Sequence, residues 1–364
     1  FVSVQAGAQV PYERIVNAAE EPENWLTYNG GYMSQRYSLL DQITPTNVGN
    51  LELKWILQNQ VFGAWQSNPI IVDGIMYVTE RPNSVMAVDA STGRVFWKFR
   101  HTPSENARVC CGANNRGVAV LDDRVYMGTL DARLIALDRI NGQPLWNVEV
   151  ADVNLAYSVT MAPLVVKDKI VVGVGGGEYG IRGYVAAFDA ETGEQAWKTY
   201  TIPGPGELGH DSWEGDDWEH GGASVWVTGS FDPELNLTYW GVGNPGPDWN
   251  AGQRPGDNLF SDSVIALDAD TGELKWYFQF TPNDGYDYDA VQVPVLADMV
   301  WRNEPKKVMM WANRNGYFYV LDRVNGQFLE GKPYVKVNWS SGLDENGRPI
   351  PTPQPEGMPT YPGN

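Results

Sequence analysis

Cysteine and histidine are scarce in this 364-residue chain, which has two of the first and three of the second. The cysteines are adjacent, Cys110 and Cys111 in RVCCGANNRG, so they cannot close a long loop. The C-x-x-C-H pattern of haem attachment is absent. Two readings of the pair stand: two buried thiols, or a vicinal disulfide closing a small ring, which requires an oxidising compartment. His101, His210 and His220 lack metal-ligand spacing and read as structural, and no Ser-His-Asp set is legible. Positive charge is also short, with 26 Lys and Arg against 45 Asp and Glu, a net charge of −19. That balance argues against nucleic acid or an anionic membrane surface as partner, since both are bound through basic patches. No apolar run approaches the ~18 residues needed to cross a bilayer as a helix.

What the chain has in quantity is glycine (39), proline (24) and tryptophan (15), with short apolar runs broken by Asp, Asn and Gly. This pattern predicts many short strands and tight turns, an all-β architecture. The opening residues carry Ala6-Gly7-Ala8, the small-x-small form of a secretory cleavage site. Residues 1–8 therefore read as a signal-peptide remnant, 1–24 as an N-terminal segment, and 25–364 as the main domain.

That domain repeats. AVDASTGRVFW (87–97), ALDRINGQPLW (136–146), AFDAETGEQAW (187–197) and ALDADTGELKW (266–276) share one pattern, and VLDRVNGQFLE (320–330) is a degenerate fifth copy. In each, an apolar strand runs into an Asp, a Gly follows four residues later, and in the first four a Trp follows the Asp by eight. The Asp accepts hydrogen bonds from the turn backbone, the Gly supplies positive φ, and the Trp begins the return strand. The Asp positions are spaced by 49, 51, 79 and 54 residues, about one four-stranded propeller blade per repeat. The long interval leaves roughly 29 extra residues between about 198 and 263, an insertion expected to lie over one end of the propeller and to carry function.

Chemistry-bearing residues gather in a few stretches. TPNDGYDYDA (281–290) sets Asp287 and Asp289 two apart behind Asp284. In an extended strand or tight loop such a pair points to one side, where two carboxylates repel unless a cation or proton lies between them; a solvated acidic turn is the plain alternative. Gly175, Gly176, Gly177 and Glu178 follow an apolar strand. Residues 175–180 satisfy G-x-G-x-x-G, yet the sequence after them is another strand and turn rather than a helix, so the dinucleotide reading fails. What remains is bare backbone able to approach a flat ligand, with a carboxylate at its end. Asn244, at a turn fixed by Pro245, joins Glu178 and Asp287 in an oxygen-only set that suits a hard cation.

The recurring A-x-D-x-x-T/N-G-x-x-x-W hairpin resembles the tryptophan-docking repeat of the pyrroloquinoline quinone (PQQ) alcohol dehydrogenases, from about Trp25 to the end of the chain. The resemblance implies an eight-bladed β-propeller, of which about five blades are represented, so the chain looks like an N-terminal portion ending in the proline-rich PTPQPEGMPTYPGN. It implies that Trp226 stacks on the quinone, that Arg116 and Arg314 face its carboxylates and oxygens, and that Thr160, Ser224, Gly175, Gly176 and Gly177 contact it. It also places Cys110 and Cys111 beside the cofactor, where a disulfide is expected. Gln66 stands where the family usually has a glutamate, which keeps hydrogen-bonding capacity and removes a charge.

By the same resemblance Glu178, Asn244 and Asp287 hold a metal ion, Asp287 is the catalytic base and Arg314 stabilises charge on the reacting oxygen. The D-x-D of Asp287 and Asp289 looks like the lanthanide-dependent form, with calcium as the alternative ion and Asp289 as a further ligand. The implied activity is oxidation of a small primary alcohol to an aldehyde in the periplasm, with electrons passed to a cytochrome c and a homodimer as assembly. A non-catalytic propeller scaffold, or a truncated inactive dehydrogenase, is the competing expectation.

Overall fold

The chain is described by a computed structural model that covers residues 9–352 other than 60 and 64. The predicted signal-peptide remnant, and the proline-rich end after its first two residues, fall outside the described residues. Five four-stranded antiparallel sheets follow one another, each strand pairing with its neighbours in sequence. The first contains β1 (Ile70–Val72), β2 (Ile75–Glu80), β3 (Ser84–Asp89) and β4 (Val95–Arg100). The second contains β5 (Val118–Leu121), β6 (Arg124–Gly128), β7 (Arg133–Asp138) and β8 (Pro144–Glu149). The third contains β9 (Leu164–Val166), β10 (Lys169–Gly173), β11 (Tyr184–Asp189) and β12 (Gln195–Tyr200). The fourth contains β13 (Ser230–Asp232), β14 (Leu237–Gly241), β15 (Ser263–Asp268) and β16 (Leu274–Gln279). The fifth contains β17 (Val295–Trp301), β18 (Glu304–Ala312), β19 (Tyr317–Asp322) and β20 (Phe328–Pro333), and a hairpin of β21 (Ser340–Leu343) and β22 (Pro349–Pro351) comes after it. These are five propeller blades, one per repeat.

Burial sets the order within a blade. Strands β5 and β9, VAVL and LVV, are apolar and buried throughout, whereas β8 and β12 expose every second residue or more. In blades two and three the first strand is thus the inner one and the fourth the outer one, wetted as an edge strand should be. The extra length of the fourth repeat is spread over two loops, 201–229 and 242–262, on either side of β13 and β14. The residues ahead of blade one are part of the same core: Val10 and Ile15 are fully buried, and Trp25 exchanges main-chain hydrogen bonds with Ile71 of β1 at 2.9 and 3.0 Å.

The repeated hairpin works across blades as well as within one. Asp89 Oδ1 accepts the main-chain N–H groups of Ser91 and Thr92, and Asp138, Asp189 and Asp268 do the same in their own turns. The Gly that follows takes a left-handed φ of +72 to +77° at 93, 142, 193, 272 and 326. Each of these glycines seats the tryptophan of the preceding repeat: Trp55 on Gly93, Trp97 on Gly142, Trp146 on Gly193, Trp197 on Gly272 and Trp276 on Gly326. A Cβ at Gly142 would lie 2.5 Å from the Trp97 ring. Trp55, Trp97 and Trp146 also donate their indole N–H to the carbonyls of Ala90, Arg139 and Ala190, whereas those of Trp197 and Trp276 find no partner among the described residues. Trp55 is a sixth copy that the repeat search does not register. Its LELKW nonetheless matches the GELKW of the fourth repeat.

Gly74 has φ +77° with nothing near a Cβ, so it separates the backbone cost from the seam cost. Gly74→Ala should lose ~1 kcal/mol for the left-handed backbone, and Gly142→Ala a further ~1–3 kcal/mol for displacing Trp97, read from denaturant midpoints. Equal losses at the two positions would mean that the tryptophan seam contributes nothing.

Candidate functional site

In a blade whose strands alternate in direction, the 2→3 turns and the passages from one blade to the next lie at one end, and the repeated 3→4 hairpins at the other. Every candidate cofactor, metal or catalytic residue comes from the first end. Gln66 precedes β1, Cys110, Cys111 and Arg116 lie between β4 and β5, and Thr160 between β8 and β9. Ser224 and Trp226 lie between β12 and β13, and Asp287 and Asp289 between β16 and β17. The 2→3 turns supply Gly175 to Glu178 in blade three, Asn244 in blade four and Arg314 in blade five.

These loops enclose a cavity of about 450 Å³ lined by Gln66, Cys110, Cys111, Arg116, Thr160, Gly175, Gly176, Glu178, Ser224, Trp226, Asp287, Asp289 and Arg314. Gly177 and Asn244 are buried just behind that wall; a Cβ on Gly177 would meet Ser224 Oγ at 3.2 Å. Sequence reasoning missed Ser158, Asp248 and Trp249, which also line the cavity. Asp248 and Trp249 stand in GPDWN, where the Gly and Pro announce only a turn.

One wall is flat and cationic. The Arg116 guanidinium sits 4.7 Å from the centre of the Trp226 ring, and its Nη1 donates to Thr160 Oγ1 at 2.9 Å. Cys110 and Cys111 are joined by a disulfide, which settles the choice between thiols and a vicinal ring. The two sulfurs and a Glu178 carboxylate oxygen all lie within 4.8 Å of one another.

The opposite wall is acidic. Asp289 is only 7% exposed, so it is not a solvated turn acid. Its Oδ1 accepts from the Asn244 main-chain N–H at 3.2 Å and from Trp226 Nε1 at 3.3 Å, and its Oδ2 accepts from Arg314 Nη1 at 3.1 Å. Asn244 Nδ2 donates to Asp248 Oδ1 at 2.9 Å. Asp287 and Asp289 both take left-handed backbone, φ +58 and +49°. Among the described residues, Glu178, Asp248 and Asp287 have no ion-pair partner; Arg314 is committed to Asp289.

The electrostatic consequence is uniform. Burial, then the charge of Asp289, pushes the Asp287 carboxyl up to about 7. Burial also raises Asp289 against the pull of Arg314, and it raises Asp248 and Glu178, the latter pushed further up by the charges of Asp248 and Asp289. Carboxylates arranged this way are short of a positive charge. The set offers oxygen ligands only, which fits a hard cation, and the flat cationic wall beside it fits a planar anion; no histidine or free thiol competes for either.

Residues 25–345 match the PQQ family described as glucose/ethanol/alcohol dehydrogenase, beta-propeller domain. The chain is 44% identical over 364 aligned positions to the quinohemoprotein alcohol dehydrogenase ADH-IIG of Pseudomonas putida, covering 94% of this chain and 50% of that protein. It is 38% identical to the lanthanide-dependent methanol dehydrogenase of Methylacidiphilum fumariolicum (strain SolV), covering 94% of this chain and 60% of that one. Among solved structures it resembles ADH-IIG with a TM-score of 0.91, at 43% identity over 95% of this chain and 53% of the other. A europium-containing methanol dehydrogenase gives a TM-score of 0.89, at 37% identity over 93% and 63%. The chain spans about half to three fifths of the length of the curated relatives it matches. By fold, repeat and sequence it belongs to the PQQ-protein family of glucose, ethanol and alcohol dehydrogenase β-propellers.

Proposed function

We propose that the full-length protein oxidises a small alcohol to an aldehyde using PQQ and a lanthanide ion held in this cavity. The observation that carries the reading is the meeting, in one cavity, of the Trp226–Arg116 platform with an acid set short of positive charge. The Trp226 face and the bare backbone at Gly175 and Gly176 leave a slot for a flat ring, and the guanidinium of Arg116 suits its carboxylates. Glu178, Asn244, Asp287 and Asp289 would hold the ion. When bound, PQQ supplies a hydride-accepting carbonyl and the ion supplies Lewis acidity.

The residues of the chain do the rest. Asp287, half-buried and unpaired, takes the hydroxyl proton of the alcohol as hydride leaves its carbon. Arg314, half-exposed and ion-paired with Asp289 through Nη1, would stabilise oxygen that gains charge. The disulfide and Gln66 form the outer rim that restricts water. Glu178, Asp248, Asp287 and Asp289 bring four formal negatives against the one positive of Arg314, a surplus that a trivalent cation balances better than a divalent one. Electrons then pass to a cytochrome c in the periplasm, the oxidising compartment that the disulfide requires.

Full-length protein reconstituted with PQQ and lanthanum should reduce a dye in an alcohol-dependent way, and Asp287→Asn should lower turnover about 10²–10⁴-fold while PQQ absorbance shows the quinone still bound. Full activity in that variant removes Asp287 as the base. Lanthanum or cerium should support faster turnover than calcium in parallel reconstitutions, and Asp289→Ala should erase that preference. Calcium turnover equal to that of lanthanum, with Asp289→Ala making no difference, contradicts the ion assignment.

The acids also predict how the ion-free protein responds to pH. Asp287 stands at about 7 when folded and 3.8 when unfolded, so across that window the folded state holds the extra proton. Stability is therefore fullest below the unfolded value and falls as pH rises toward 7. Thermal melts in chelator should show a lower midpoint near pH 7 than near pH 5, with a shallower fall in Asp287→Asn and no fall once lanthanum is bound. A midpoint that rises over this range contradicts the charge imbalance.

A further inference from the structure

Beneath the loop that carries Asp287 and Asp289 lie two carboxyl groups with no part in the reaction just described. Asp284 starts the loop and Asp262 ends the passage into β15; they are 1% and 0% exposed. Asp284 Oδ1 accepts the main-chain N–H of Tyr286 at 2.8 Å, and its Oδ2 accepts that of Tyr288 at 2.7 Å. Asp262 Oδ1 accepts that of Ala290 at 3.2 Å. The three tethered peptides alternate with the two functional acids: Asp287 lies between Tyr286 and Tyr288, and Asp289 between Tyr288 and Ala290.

The alternation explains how this segment can exist. Asp287 and Asp289 both adopt the left-handed conformation, which for an L-residue costs about 1–2 kcal/mol each. An aspartate in that conformation is often steadied by hydrogen bonds from its own carboxylate to nearby backbone. Here Asp289 spends its oxygens on Asn244, Trp226 and Arg314 instead. The steadying bonds come from below. Arg254, fully buried, fixes the support in turn: its guanidinium donates to the Asp284 carbonyl, to Asn258 Oδ1 at 3.0 Å, and to the carbonyls of Pro247 and Asp248 at 3.2 Å each. The loop bearing Asn244 and Asp248 is thereby tied to the loop bearing Asp287.

We propose that Asp284 and Asp262 are positioning residues, which hold Asp287 and Asp289 in their left-handed conformations so that both carboxylates face the cavity before any ion arrives. This rests on the reading of the cavity as a cation and PQQ site. Asp284 does most of the holding, with one oxygen on each side of Asp287; Asp262 fixes the far end. Neither touches the ion or the reacting atoms, so each acts on the affinity of the site through the loop.

The test is terbium titration of the full-length, metal-free protein, read by tryptophan-sensitised terbium emission, with melting temperatures recorded alongside. Asp284→Asn keeps volume and one acceptor but turns an N–H₂ toward Tyr288; it and Asp284→Ala should weaken terbium binding about 10–100-fold, the usual effect of removing a group that orients a metal ligand. Asp262→Asn, which keeps an acceptor for Ala290, should bind within about twofold of the parent, whereas Asp262→Ala should lose about tenfold. Should an Asp284 variant fail to fold, the Asp262→Asn and Asp262→Ala pair decides by the same criterion. Terbium bound as tightly by the alanine variants as by the parent overturns the positioning pair and leaves the cavity's cation site standing. No terbium binding by the parent overturns both.

Discussion

A tryptophan ring lying on a left-handed glycine of the next blade is the contact on which the rest of this structure depends. Blades of four short strands bury their faces against one another, and nothing in a single blade would fix the angle at which the next one sits. The seam does so four times, from Trp97 on Gly142 to Trp276 on Gly326, and Trp55, ahead of blade one, makes the same contact on Gly93. Because the glycine closes the turn whose Asp holds the hairpin together, one eleven-residue pattern builds the turn and the joint. The repeat can therefore carry the same instruction along the chain while the opposite end of each blade varies freely.

That division of labour places the chemistry. The 3→4 hairpins are committed to the seams, so long or irregular loops accumulate at the end formed by the 2→3 turns and the passages between blades. Five blades contribute to one cavity there, and two walls of opposite character meet across it. Arg116 on Trp226 makes one wall; Asp287, Asp289, Asp248 and Glu178 make the other. Folding energy is spent to bring like charges into partly dry surroundings, and their raised titration ranges record that cost. A cation held there would relieve that strain, so the proposed ion and the fold share one explanation.

Much of this was legible in the sequence, and the parts that were not share a cause. The Asp-to-Trp hairpins, their blade-length spacing and the alternation of the outer strands follow from local pattern, since turn chemistry acts over a few residues. Gly175 to Glu178 and the pair Asp287 and Asp289 stand out because glycine runs and paired acids are unusual locally, whereas Gln66, Arg116, Thr160, Ser224, Trp226 and Arg314 are marked only by the family resemblance. The partner of each tryptophan was not legible: sequence puts Trp97 at the start of a return strand, and only packing reveals that its ring rests on Gly142. Trp55 escaped because its own hairpin does not stand ahead of it. Asp262 and Asp248 sit in unremarked contexts, SDS and PDW, and nothing local says that one is fully buried and the other faces a cavity. Asp289 had two readings, and burial removes the one of a solvated turn acid. Long-range burial is what a single sequence does not display.

The central claim is that an oxygen-only set of Glu178, Asn244, Asp287 and Asp289 holds a trivalent ion beside a flat anionic cofactor on Trp226. The most direct measurement is anomalous diffraction from crystals of the full-length protein grown with PQQ and lanthanum. The account predicts one strong anomalous peak within bonding distance of those four side chains, with the quinone between Trp226 and the disulfide. A peak elsewhere, or one in the cavity from which Asp289 turns away, would contradict it.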